Sequence, residues 1–142
     1  MVRSVFGAAV DCGPVRLRRW RWFPFQPAGI VMAPRGRLHF HPGSGSFRGD
    51  FSHDRLGMQG FFIHEMTHVW QAQTRGRWYL PLMRHPFCRY DYRLRAGWPL
   101  ERYGIEQQAE IVRHAFLLRN GVQMADAPPL AKYEAILPFL PD

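Results

Sequence analysis

Residues 55–74 carry apolar side chains at helical spacing, and His64-Glu65-Met66-Thr67-His68 stands in the middle of that run. No other feature limits the fold as much. Imidazoles at positions i and i+4 lie on one helix face about one turn apart, so both reach one small cation. Glu65, one step round the helix, stands beside them and can act as general base toward a metal-bound water. Zn2+ suits this donor set, because imidazole nitrogen and carboxylate oxygen are among its usual ligands. Asp54 is the expected N-cap and Gly76 the expected C-cap. The plain alternative is an ordinary amphipathic helix whose two histidines make polar contacts only.

Two histidines leave a tetrahedral ion short of the three protein ligands plus water typical of catalytic zinc. A second helix, expected over residues 103–119 and stopped by Asn120-Gly121, carries Glu106-Gln107-Gln108-Ala109-Glu110. Glu106 and Glu110 are again i and i+4. Ile105, Ala109, Val112 and Phe116 form the neighbouring apolar stripe, which would pack this helix on the first and turn both carboxylates toward His64 and His68. Glu106 is read as the third ligand. Glu110 is read as the acceptor that holds a ligating histidine by its other ring nitrogen. Small Ala109 lets the helices approach closely.

The remaining chain is modest. With 142 residues, 46% apolar and 21% charged, residues 1–142 read as a single globular domain with one core. No apolar run approaches the ~18 residues that span a bilayer. Residues 1–11 have the spacing of a short helix, and residues 15–20 alternate as a half-exposed strand. Residues 29–33 and 37–41 read as an antiparallel hairpin around Pro34-Arg35-Gly36. Residues 77–100 read as an irregular connection and residues 130–137 as a short last helix. The expected fold class is therefore α+β, a small antiparallel sheet packed on the two long helices. Residues 4–10 are short for a leader and Asp11 interrupts them, so no signal peptide is expected. The chain is expected in the cytoplasm as synthesised, with export by a dedicated system open to it. Cys12 and Cys88 read as reduced thiols.

The net charge of +8 rests almost wholly on arginine, since Lys132 is the one lysine. Arg16-Leu17-Arg18-Arg19-Trp20-Arg21-Trp22 mixes guanidinium with indole, which can grip phosphates and stack on bases or rest on an anionic membrane. The preferred reading is a strand with core tryptophans and solvated arginines, because no nucleic-acid module accompanies it. His39 and His41 share a strand face and read as polar surface. His114 reads as a surface histidine.

Taken together, the two motifs resemble the zincin metallopeptidases that use a downstream glutamate as third ligand. Glu106-Gln107-Gln108-Ala109-Glu110 is similar to the Glu-x-x-Ala-Asp pattern of the prenyl-protein-protease type, from which Glu110 departs by one methylene. Phe61-Phe62-Ile63-His64-Glu65-Met66-Thr67-His68-Val69-Trp70-Gln71 resembles the short metallopeptidase domain of contractile injection systems. There the pattern is His-Glu-Leu-x-His-Val-x-Gln after a small strand pair. Bacterial Vgr-related proteins are similar over nearly the whole chain, including Trp22-Phe23-Pro24-Phe25-Gln26-Pro27 and Gly104-Ile105-Glu106-Gln107-Gln108-Ala109-Glu110.

This resemblance implies a minimal zincin-like core, with zinc on His64, His68 and Glu106 and with Glu65 as base. It also implies a peptide or protein substrate, lying along residues 36–41, and a place in a secretion or injection system. The expected function is zinc-dependent peptide-bond hydrolysis, in which Glu65 carries a proton from water to the leaving amine. Donors to the developing oxyanion stay open among Tyr103, Tyr92, His85 and Arg102. Two alternatives stand beside it: a non-catalytic scaffold stabilised by zinc, and a basic protein of nucleic-acid or membrane surfaces.

Overall fold

Helical spacing yields the two longest elements of the computed structural model, which describes residues 1–29, 31–33, 37–85 and 87–139. In chain order the elements are α1 (Arg3–Phe6), β1 (Arg16–Arg18), β2 (Arg37–His39), α2 (Leu56–Arg75), α3 (Tyr79–Met83), α4 (Ile105–Arg119) and α5 (Leu130–Glu134). A 3-10 turn, Leu100–Arg102, leads into α4. α2 stops at Gly76, whose φ of 95° is open to glycine and strained for other residues. The start of α2 differs from expectation. Its N-cap is Arg55, and Asp54 instead accepts from the Arg55 amide at 2.8 Å and pairs with Arg48 at 2.7 Å.

α2 and α4 pack against each other and supply about half of the core. Ile63, Met66, Val69 and Trp70 come from α2, and Ile111, Val112, Ala115 and Phe116 from α4. Phe6, Leu38, Phe40, Leu100 and Tyr133 close the cluster from the shorter elements. Burying each large apolar side chain contributes about 1.5–3 kcal/mol. The helices meet where side chains are small: Ala109 is fully buried, and a Cβ at Gly60 would lie 3.0 Å from Leu117 Cδ2.

The sheet corrects the sequence reading. β1 and β2 are parallel, with Arg16 opposite Arg37, Leu17 opposite Leu38 and Arg18 opposite His39. Of the expected antiparallel hairpin, one bridge is present, Met32 with His39; the turn Pro34-Arg35-Gly36 lies outside the described residues. Alternation tells which side chains face the core, but it is blind to strand direction. Residues 19–36 are long enough for the crossover that a parallel pair needs.

The 77–100 connection also holds a helix that its prolines concealed. In α3, Pro81 sits in the first turn, where its missing N–H has no intrahelical partner to lose. Trp20 and Trp22, read as core, are 53% and 47% exposed. Cys12 and Cys88 are both free. No helix among the described residues is long and apolar enough to cross a membrane.

The α2–α4 seam makes a simple test. Gly60→Leu overpacks it against Leu117 and is expected to lower stability by about 1–3 kcal/mol in urea unfolding. Gly57→Ala, in open space on the same helix, is expected to raise it by about 0.5 kcal/mol.

Candidate metal centre

One turn of α2 sets the rings of His64 and His68 side by side, centroids 5.0 Å apart, and both residues are buried. The packing of α4 places Glu106 opposite. Its Oε2 lies 3.2 Å from His64 Nε2 and 3.1 Å from His68 Nε2. One donor atom from each of His64, His68 and Glu106 falls within 4.8 Å of the others.

The second nitrogen of each ring is already committed. His68 Nδ1 lies 2.8 Å from Gln71 Oε1, while the Gln71 amide nitrogen donates to Ile105 O and Gln108 Oε1, each at 2.9 Å. With its NH2 facing two acceptors, Gln71 can only accept from His68, so His68 Nδ1 carries a proton. His64 Nδ1 donates in the same way to Glu110 Oε1 at 2.8 Å. Both Nε2 lone pairs therefore face a carboxylate oxygen. Acceptor against acceptor is repulsive unless a positive charge sits between them, either a proton or a metal ion.

Charge in the site follows from these contacts. Burial pulls the His64 imidazolium down, but hydrogen bonds to Glu106 and Glu110 outweigh it and raise its pKa to about 9. Burial pushes the Glu106 and Glu110 carboxyls up, and the imidazoles reverse this, holding both well below the usual carboxylate range. Glu65 differs. It is buried, burial raises its pKa, and its Oε2 has no hydrogen-bond partner. A buried carboxylate oxygen in that condition is rare and calls for a partner from outside the chain.

Two residues that the sequence reading did not single out stand at this site. Arg84, just past α3, brings Nε to 2.8 Å from Glu106 Oε1, an ion pair without hydrogen-bond alignment, and donates to Val31 O at 3.0 Å. Tyr90 is close enough to Arg84 to raise its pKa, and its ring lies nearly parallel to that of His64, 6.2 Å away and half exposed. Both come from the irregular connection, where no periodicity announces them. Gln71 did leave a signal, since it lies three residues from His68 on the same helix face.

The four candidate oxyanion donors lie elsewhere. Tyr103 is buried and its hydroxyl accepts from the Arg95 amide at 2.8 Å. Tyr92 meets His114 Nδ1 at 2.5 Å and Tyr133 at 3.2 Å, and His114 Nε2 lies 3.3 Å from Glu110 Oε2. Tyr92 and His114 thus stand behind Glu110, which stands behind His64. His85 is exposed and accepts from the Phe87 amide, and Arg102 lies over the Trp98 ring. Among the described residues, none of these four hydrogen-bonds His64, His68 or Glu106.

Fold and site together define a small α+β domain built round a buried His-His-Glu group. No protein-family model matches the chain. It is 38% identical over 150 aligned residues to the type VI secretion system spike protein VgrG2b of Pseudomonas aeruginosa. That match covers 99% of this chain and 14% of the spike protein. A solved structure, the effector domain of P. aeruginosa VgrG2b, has a TM-score of 0.69 and 39% identity, covering 84% of this chain and 70% of that one. The chain belongs to the family of the VgrG2b effector domain.

The raised His64 pKa has a consequence for stability. A group whose pKa rises from 6.5 to about 9 on folding stabilises the fold fully below 6.5 and loses that contribution as pH climbs through about 9. Melting in the presence of a chelator is expected to show Tm falling by roughly 5–10 °C between about pH 6.5 and 9.5, a slope that His64→Gln flattens.

Proposed function

We propose that the chain is a zinc-dependent peptide-bond hydrolase of zincin type, carried by a secretion-system spike. The observation that carries this reading is the convergence of His64 Nε2, His68 Nε2 and Glu106 Oε2 beside the unpartnered Glu65 carboxylate. Two imidazoles and one carboxylate are a catalytic zinc donor set, so His64, His68 and Glu106 would hold the ion. Bound there, Zn2+ supplies a Lewis acid that acidifies water and polarises a carbonyl.

The chain's own groups do the rest. Glu65 takes the proton of the attacking water and returns it to the leaving amine. Gln71 and Glu110 keep each imidazole turned so that Nε2 faces inward. Tyr90, half exposed and facing the His64 ring, would offer its hydroxyl to the developing oxyanion, with the Arg84 guanidinium beside it. Membership in the VgrG2b effector-domain family supports delivery by a spike. The chain spans about one seventh of that spike protein, so delivery and partners belong to the proposal.

The depth of the site favours one other reading. His68 and Glu106 are almost wholly buried, as in a site where zinc only stabilises the fold. Glu65 separates the two, because an unpartnered buried carboxylate has no task in a purely structural site. Metal analysis is expected to find about one zinc per chain in the wild type and in Glu65→Gln, and almost none in His64→Ala or Glu106→Ala. Glu65→Gln is expected to slow cleavage of a peptide library about 10²–10⁴-fold. Full zinc occupancy with no cleavage of any peptide would leave the scaffold reading standing.

A further inference from the structure

The exposed tryptophans belong to a larger arrangement. Between Asp11 and Asp50 the sequence holds seven arginines (Arg16, Arg18, Arg19, Arg21, Arg35, Arg37, Arg48) and no acidic residue. Parallel pairing of β1 with β2 sets Arg16 beside Arg37, and Arg18 beside His39. Like charges directly opposite each other across strands are destabilising. Arg16, Arg18 and Arg37 therefore share one face of this sheet with the buried His39, while Leu38 on the opposite face is fully buried. Among the described residues, Arg16, Arg18, Arg19, Arg21 and Arg37 have no carboxylate partner. Burial, with a lesser contribution from the charges of Arg18 and Arg37, holds His39 below its ordinary pKa.

The chain leaving β1 adds an apolar tip. Residues 20–27 are pinned by buried Gln26, which accepts from the Trp22 amide at 2.8 Å and donates to His39 O at 2.9 Å. Arg21 Nε donates to His41 Nε2 at 2.9 Å and its Nη1 to Pro24 O at 3.3 Å. This ordered turn leaves Trp22 and Phe25 outside the core, and Phe25 is 87% exposed between two prolines. Like charges set side by side in the strand pair and solvated aromatics in the turn that follows it, with the turn tied down by hydrogen bonds, are the pattern of a surface kept for a partner.

We propose that the basic face of the β1–β2 pair and the 20–27 turn dock on an anionic phospholipid bilayer. The guanidinium groups meet lipid phosphates, while Trp22 and Phe25 enter the boundary between headgroups and acyl chains. Nucleic acid fits less well. Stacking on bases needs open ring faces, and Trp20 already carries the Arg18 guanidinium 4.9 Å from its centroid. A proline-flanked phenylalanine tip suits hydrocarbon better than a groove. The contact proposed is a surface one, made by a strand pair and a turn rather than by a spanning helix. This surface does not depend on the metal site.

Co-flotation of the 142-residue chain with phosphatidylcholine vesicles, with and without phosphatidylglycerol, tests the proposal. Binding is expected only where phosphatidylglycerol is present, and it should weaken as salt is added. Phe25→Ser and Trp22→Ser are each expected to lower the partition coefficient at least about tenfold, and Arg19→Gln about fivefold. Melting temperature and zinc content should stay at wild-type values in Phe25→Ser. Equal binding to neutral vesicles, no binding at all, or binding indifferent to Phe25→Ser overturns the idea. So does a chain that prefers duplex DNA to the anionic vesicles, or one whose Phe25 tip proves to be buried in a dimer.

Discussion

Two imidazole lone pairs aimed at one carboxylate oxygen inside a protein repel each other unless a cation joins them. The packing of α2 on α4 creates this situation, and much of the polar interior is arranged around it. Gln71 and Glu110 decide which nitrogen of each ring carries its proton. With the protons placed there, the two Nε2 atoms have no neutral hydrogen-bonding arrangement with Glu106. The site is thus built for a positive charge before its identity is asked.

Each element near the site reaches it through a polar contact. Gln71 and Gln108 tie α2 to Ile105 and Tyr103 at the start of α4. Glu110, His114, Tyr92 and Tyr133 run from His64 through α4 to α5. Arg84 links Glu106 to the chain before β2. Such networks rigidify when every member is satisfied and are costly when one is not. Two oxygens of this network lack a hydrogen bond: Glu106 Oε1, which faces the Arg84 guanidinium, and Glu65 Oε2.

Charge is sorted in space as well. The carboxylates Glu65, Glu106 and Glu110 gather on α2 and α4, whereas the chain from 12 to 49 is basic and aromatic. The chain therefore carries two chemically different regions, a buried group of carboxylates and imidazoles and a basic stretch with exposed aromatic side chains.

How much of this was legible beforehand depends on the distance over which each feature is decided. Helix geometry repeats every few residues, so His64 with His68 and Glu106 with Glu110 could be placed on common faces by counting. Gly76 and Asn120-Gly121 marked helix ends for the same local reason. Strand direction was not legible, because alternation reads the same in parallel and antiparallel pairs; the β1–β2 pair is parallel where an antiparallel sheet was expected. The tryptophans of the 16–22 segment were read as core because they are large and apolar. Only the folded chain, pinned by Gln26, turns them outward.

By itself, then, the sequence determined the two helices, the ligand-type residues on their faces and the family resemblance. Those depend on spacing within a few turns. The tertiary structure alone decided that Arg84 and Tyr90 stand beside Glu106 and His64, that Tyr92 backs Glu110, and that arginines crowd one sheet face. Those meetings join residues from loops and separate elements, and their positions depend on the path of the whole chain rather than on any local repeat.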